Sequence, residues 1–510
     1  MANTNHQLLS SRKKPTTKLQ SNPCFGLELG AWSFSGVWSL EFGVSRASTS
    51  RNRPNGNGCI RRSTAARASI LVGLLWCLAI LAVVVIGVLH TARLDLLVVK
   101  NYGDKIQAHY LALAGVEKAK ALIFQDAIDR RHSAKNHSGA LYDDPQDFRD
   151  VTFGRGEFRV FRRARPDEGE GVIYGIGDEE SRLNVNTATP DQLAKLDGMT
   201  PDIVAAIVDW RDPDNEVTPG GAEADYYMSL QPPYRPRNGP LQTVRELLMV
   251  RGVSPEQLLG GPDEENTISG TGRDEGDSPL LTPDGVLDGG WSGFLTVDSL
   301  DNNLNAAGDD RVNIQSADDR ALTGVKGITS DIARAIIAYR GQNQFQSLAD
   351  LLDVTAAQNQ NRGRSGRGAP VGAQNDSNPS GPKVISEDLL QDIADDLTVA
   401  NQDQPGAINI NTASVPVLVC LPGIDPQLAQ AIISYRKSSG FFPNIAWLLK
   451  VPGMTRNIFK QVAPLVTARS ETYRILAEGK VTSSGTRQRI QVIVHVGVHN
   501  IDTLSYREDL

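Results

Sequence analysis

The sequence predicts an α+β protein: a long N-terminal helix, a small antiparallel sheet, and a large helical domain inserted between the two halves of that sheet. Three observations carry this reading. An uncharged apolar run spans Ile70 to Leu89, strand-like alternation appears both near residue 160 and at the C-terminus, and the stretch between holds three copies of one helical pattern.

The apolar run sets the first element. About twenty residues rising ~1.5 Å each match a hydrocarbon core of ~30 Å. Arg61, Arg62 and Arg67 precede it, so the positive-inside bias puts the N-terminus in the cytoplasm and the body outside. The residues that follow, His90-Thr91-Ala92-Arg93, offer no small-residue cleavage site, which favours a retained span over a cleaved signal. The leader, residues 1–68, is basic, rich in Ser, Asn and Gly, and reads as disordered or processed. Residues 69–130 form the helix, with the span at 70–89. Good helix formers dominate Lys105–Phe124, with Ile106, Leu113, Val116 and Ile123 near helical spacing. Span and extension together make one helix of roughly 55–60 residues.

The sheet comes next, in two parts at 131–182 and 470–510. Gly156–Arg162 alternates, Gly171–Ile176 is a second strand candidate, and Thr472–Val481 with Arg487–Val496 forms a hairpin around Ser483-Ser484-Gly485. Strands that bracket the middle make the middle an insertion.

The insertion is a repeat. Its copies begin Leu183-Asn-Val-Asn-Thr-Ala188, Val312-Asn-Ile-Gln-Ser-Ala317 and Ile408-Asn-Ile-Asn-Thr-Ala413. Each reaches a turn glycine (Gly198, Gly327, Gly423) 14 residues after its first asparagine, and an aromatic–arginine pair ends 13 residues later at Arg211, Arg340 and Arg436. Glycine at a turn followed by an N-cap is the signature of a helix-hairpin-helix. Further turns at Gly252 and Gly453 make the first and third units paired hairpins and leave the second partly degenerate. The expected boundaries are 183–262 for the first unit, 263–310 for an acidic linker, 311–355 for the second unit, 356–384 for a low-complexity linker, and 385–469 for the third.

Composition limits the function. The 510 residues carry a formal net charge of −7, although the leader is basic, so the body holds the acidic excess. That argues against a general polyanion binder. The turns agree: Asp197-Gly-Met-Thr-Pro-Asp202 and Pro422-Gly-Ile-Asp425 lack cations, and only Lys326 and Arg251 are suitably placed. Arg211, Arg340 and Arg436 are expected on local carbonyls or carboxylates. Of four cysteines only Cys420 lies in the body, so no disulfide forms there. Histidines are few and scattered, with no nucleophile elbow, phosphate loop or ordered acid–base pair, and no enzymatic activity is expected. One loop stands out. Asp212, Asp214, Glu216, Glu223 and Asp225 crowd a Gly/Pro-rich stretch, either as hard oxygen ligands for calcium or as a solvated acidic loop.

The order of these parts, with Gly221-Ala-Glu-Ala-Asp-Tyr-Tyr227, Pro232-Pro-Tyr-Arg-Pro-Arg-Asn-Gly-Pro240 and Val244-Arg-Glu-Leu-Leu248, resembles the minor pseudopilin K family of type II secretion systems. The resemblance covers most of the chain after the leader. It implies a pilin-like helix, a pseudopilin sheet domain and calcium in the inserted domain. It also implies a place at the tip of the periplasmic pseudopilus, initiating assembly for protein export, beside minor pseudopilins I and J. Its location would be the bacterial inner membrane, single pass, until assembly. Prepilin peptidase would cut between Ala68 and Ser69, although no glycine precedes that bond. Counting from Ser69, Gly73 holds the position where most pilin-like subunits carry glutamate, a lack that characterises this family. The competing reading is a membrane-tethered DNA-uptake receptor that uses the hairpins.

Overall fold

The computed structural model of the chain describes residues 65–133, 139–169, 171–261, 281–282, 285–286, 289–356 and 382–508. The leader up to residue 64 and most of the 356–384 stretch lie outside the described residues. The chain divides at Val83/Val84 into two units, each taken by itself.

In the first unit, helix α1 (Ala65–Ser133 in all) opens with the apolar residues, and every described side chain from Leu71 to Val83 is exposed. Among the described residues it is one helix long and apolar enough to cross a membrane. Such a surface has no solvent but lipid or apolar neighbours to meet. At 69 residues α1 exceeds the 55–60 expected and runs past 69–130 at both ends, where no glycine or proline stands to stop it.

The second unit begins with the rest of α1. Its exposed apolar character persists to Val99, and a buried stripe then starts: Ala108, Ala112, Val116, Ala119, Ile123 and Ala127. Steps of three and four residues put these on one face. Ile106, expected on that stripe, stays exposed. The stripe packs on a sheet built from β1 (Val151–Phe153), β2 (Gly156–Val160), β3 (Gly177–Asp178), β4 (Thr472–Val481), β5 (Arg487–Val496) and β6 (Ile501–Arg507), in the order β1-β2-β4-β5-β6. β2 and β3 lie end to end along the same side of β4, pairing with Ala477–Val481 and with Tyr473–Arg474. All neighbours are antiparallel. A Cβ on Gly479 would stand 2.1 Å from the Ala108 carbonyl oxygen, so this glycine lets the helix backbone lie directly on β4. On β4, the buried Glu478 accepts from its cross-strand neighbours Arg159 and Arg489, both at 2.7 Å, which fixes register across three strands. Sequence alternation placed a strand at Gly171–Ile176. Instead Val172–Ile173 pairs with Arg162–Arg163 in a separate ladder, and the sheet takes the next two residues.

Between β3 and β4 the chain builds three helical units around one continuous apolar core. Each opens and closes with two residues that pair in parallel: Leu183–Asn184 with Leu295–Thr296, Val312–Asn313 with Leu397–Thr398, and Ile408–Asn409 with Val466–Thr467. These ladders redraw the expected boundaries. Residues 290–296, expected in an acidic linker, belong to the first unit, where the buried Trp291 donates to the Asp197 carbonyl at 2.8 Å. Helix Glu387–Ile393 and the Leu397–Thr398 strand, expected in the third unit, close the second. The second unit is therefore not degenerate. It carries the same paired hairpins as its neighbours, with extra chain inserted at the second turn between Val354 and Val384, which are joined backbone to backbone at 3.1 Å. Sequence spacing missed this because the insertion takes the place of the turn glycine.

The same clamp recurs in every unit. The guanidinium that ends the long helix reaches back to two carbonyls of the opening segment: Arg211 to Val185 and Ala188, Arg340 to Ile314 and Ala317, Arg436 to Ile410 and Ala413. This is the expected carbonyl pairing, and it ties the first residues of each unit to its core. Burial pulls the Arg436 guanidinium down to about 10, still charged at neutral pH, and Asp167 pairs with it at 3.2 Å.

The insert joins the sheet through Asp178-Glu179-Glu180, all buried. Asp178 accepts from Asn409 at 2.9 Å and from Thr412 of the third unit, and from Ser470 before β4. Glu179 takes a bidentate pair from Arg474 of β4 (2.7 and 2.6 Å) and the Thr296 hydroxyl of the first unit at 2.6 Å. Glu180 accepts the Glu471 and Thr472 amides at 3.0 and 3.1 Å. Burial pushes the Asp178 and Glu180 carboxyls upward, Glu180 more strongly because Asp178 and Asp301 add like charge. Beside them, burial and then the Glu179 charge raise Asp298 to about 6.

Two outcomes follow. Arg436→Met strips two buried carbonyls and Asp167 of their donor and should cost about 3–5 kcal/mol, whereas Arg340→Met, on a half-buried clamp, should cost about 1–2 kcal/mol. Urea unfolding of both variants measures this. Asp298, raised in the folded state, contributes stability that is complete below the ordinary carboxylate range and lost as pH rises through about 6. Asp298→Asn should therefore raise the melting temperature at pH 7.5, with the gain shrinking toward pH 4, as calorimetry across that range would register.

Candidate functional site

The acidic loop folds around the end of helix Pro201–Arg211. Asp209 lies in its last turn, Asp212 caps it with its amide on the Val208 carbonyl at 3.0 Å, and Glu223 caps the next helix, Ala224–Met228. Carboxylate oxygens of these three lie within 4.8 Å of one another. Asp209 is fully buried and accepts the Thr218 amide at 3.2 and 3.3 Å. A Cβ on Gly221 would fall 2.1 Å from an Asp209 oxygen, so glycine is what permits this close approach. One oxygen of Asp212 and both of Glu223 are buried without a hydrogen-bond partner.

Buried carboxylate oxygens without donors are costly. Burial first, then the neighbouring charges of Asp214 and Asp209, push Asp212 upward; burial, Asp209 and Asp212 do the same to Glu223. Three acids facing one another, with orphaned oxygens and no cation among them, form a donor set that fits a hard divalent cation such as calcium. Of the five carboxylates singled out in the sequence, only Asp212 and Glu223 meet here. Asp214 turns to its own loop, accepting the Glu216 amide at 2.8 Å, and Asp214, Glu216 and Asp225 are all exposed. Asp209 was missed because it sits inside a helix pattern. Its signal was the spacing to Asp212, three residues on along the same helix face.

The turn glycines adopt the left-handed backbone expected of them, with φ of 73° at Gly198, 103° at Gly327 and 73° at Gly423. Each faces the unit's other hairpin: Trp291 beside Gly198, Ile393 and Leu389 beside Gly327, Ile458 beside Gly423. The cations near the turns are mostly committed elsewhere. Lys195 donates to the Leu421 carbonyl at 2.7 Å and links the first unit to the third. Arg251 donates to the Gly221 carbonyl at 2.8 Å and lies over the Tyr226 ring. Lys326 is left exposed beside its turn.

The family model described as type II secretion system, protein K, matches residues 181–259, the first helical unit with its acid pocket. Over this first unit the chain is similar to the protein K family of type II secretion systems. The helix-hairpin-helix motif model matches residues 308–357 and 404–467, the second and third units. Type II secretion system protein K of Klebsiella pneumoniae is 30% identical over 159 residues, covering 29% of this chain and 47% of that one. A mouse endonuclease/exonuclease/phosphatase family domain-containing protein 1 is 24% identical over 160 residues, covering 31% of this chain and 28% of its own. ComE operon protein 1 of Bacillus subtilis is 30% identical over 88 residues, covering 17% and 43%. The chain thus spans less than half the length of the curated relatives it matches. The solved GspK-GspI-GspJ complex of the enterotoxigenic Escherichia coli type 2 secretion system aligns with 97% of its matched chain and 79% of this one, at 11% identity and a TM-score of 0.35.

The acid pocket can be tested by sign. In chelator, Glu223→Gln should stabilise the protein by about 1–2 kcal/mol, because it removes one of three like charges from a shielded site. With millimolar calcium the native protein should rise in melting temperature and the same variant should not. Thermal melts with and without calcium decide both.

Proposed function

We propose that this chain is a protein K of a type II secretion system, the minor pseudopilin at the tip of the periplasmic pseudopilus, where it helps initiate assembly for export across the outer membrane. The observation that carries the reading is the insert. Three helical units are spliced between β3 and β4 and tied to the sheet by buried polar bonds, so the bulk moves with the sheet. A subunit with so large an attachment is hard to stack between others and suits an end position. The helix supports this placement. From Ile70 to Leu89 it carries no acid, and Gly73 offers nothing to meet a neighbour's terminal amine, so nothing in it calls for a subunit beyond.

In this reading the N-terminus is cytoplasmic, the body periplasmic, and the helix rests in the inner membrane until assembly. Prepilin peptidase would cut at Ala68/Ser69, both inside α1. The partners are minor pseudopilins I and J, and calcium would be held by Asp209, Asp212 and Glu223, joining segments distant along the loop. The DNA-uptake reading has the helix-hairpin-helix likeness and the exposed Lys326 in its favour, but Arg251 is bonded to the Gly221 carbonyl, the other turns carry acids or neutral residues, and Arg211, Arg340 and Arg436 are spent on carbonyls.

The test is copurification of the full chain in detergent with tagged I and J subunits of its own system. A stable ternary complex with one K per assembly is the expected result. Failure to assemble, or filaments with K along their length, would reject the tip position. Salt-sensitive retention of the same preparation on DNA would favour the receptor.

A further inference from the structure

The first helical unit carries a cleft of about 540 Å³ whose lining includes Arg235, Arg237, Arg245, Glu246 and Met249. Three guanidinium groups and one carboxylate meet there, on a chain whose formal net charge is −7. The carboxylate is already used. Glu246 is buried and accepts from Trp210 Nε1 at 3.0 Å, from the Gln242 amide at 3.0 Å and from Arg237. The excess in the lining is therefore positive.

The wall that holds Arg235 is rigid. Four prolines between Pro232 and Pro240 restrict φ in that loop. Tyr234 fastens it on one side, its hydroxyl donating to the Met249 carbonyl at 2.8 Å and its ring packing on Tyr227 and Trp210. Arg237 fastens it on the other through Glu246, and the Asn238 side chain reaches Asn215 at 3.1 Å. Arg235 stands between these anchors, exposed, with no hydrogen bond or ion pair to the described residues. Met249, exposed, gives the cleft an apolar flank.

We propose that this cleft docks a carboxylate-bearing peptide segment of another protein. A loop held by prolines and anchors leaves only the side chain of Arg235 to be ordered on binding, and its planar fork matches a carboxylate. The open shape admits an extended chain, and the apolar flank suits the side-chain stems between acidic groups. A free phosphate would leave that flank uncovered. The proposal requires only a protein partner and is independent of the tip position.

The experiment uses the full chain in detergent and a labelled, acetylated peptide of Glu, Asp and Leu, beside its Gln/Asn counterpart. Anisotropy should show the acidic peptide bound, the amide peptide at least about tenfold weaker, and Arg235→Gln weakening the acidic peptide by about tenfold. Affinity should fall as salt rises from about 50 to 300 mM. Arg245→Gln should act in the same direction, and Arg235→Glu, which keeps the loop anchors, should abolish binding. Melting temperature checks that each variant is folded. Equal binding of both peptides, or an acidic peptide indifferent to Arg235→Gln and Arg235→Glu in folded protein, overturns the proposal. Displacement by inorganic phosphate at the peptide's own concentration, or tighter binding of an oligonucleotide, assigns the cleft to those anions and overturns it as well.

Discussion

The whole body hangs on three consecutive buried acids, Asp178-Glu179-Glu180. Between them they receive donors from the first unit, the third unit and the start of β4. Burying such charges costs several kcal/mol each unless every oxygen finds a donor. Here the donors come from segments hundreds of residues apart in sequence, so the acids are satisfied only when sheet and insert are assembled together. The Glu179–Arg474 fork is the strongest of these contacts, being bidentate and shielded from water. An insertion that might have swung on two loose strands is instead part of the fold.

Within the insert, one hydrogen-bonding solution is used three times. Parallel pairing of two residues closes each unit. An arginine clamps the opening carbonyls, and the next polar side chain bridges to the segment after the long helix: Asn186 to Leu241, Gln315 to Phe345, Asn411 to Phe442. Backbone groups of irregular segments are thereby paired without long strands. The units can then vary elsewhere. The first carries the acid pocket and the arginine cleft in the chain between its two hairpins, and the second absorbs an insertion at its second turn.

Much of this was legible in the sequence because it repeats. Asparagine, turn glycine and arginine at fixed spacing give the hairpins, and alternation over ten residues gives the β4–β5 pair. What was not legible depends on contacts distant in sequence. Nothing local marks Asp178–Glu180 as buried, since a run of acids ordinarily reads as a solvated turn. Two-residue strands are too short for periodicity, which is why the unit boundaries shifted and the second unit looked incomplete. Of the acid pocket, the loop was visible but its membership was not: Asp209 was hidden in a helix, while Asp214, Glu216 and Asp225 are near in sequence and face solvent.

The proposed protein K role gives this architecture a setting, and the architecture gives the setting a mechanical sense: an apolar helix, a sheet on its far half, and a helical body fixed to that sheet. That fixity is the claim on which the tip reading rests. Hydrogen exchange of the full chain in detergent, followed through a urea series, measures it most directly. Amides of Thr472–Val496 and those of the long helices at 201–211, 330–340 and 426–439 should lose protection together at one urea concentration. Helices that open at lower urea while β4 and β5 stay protected would contradict it.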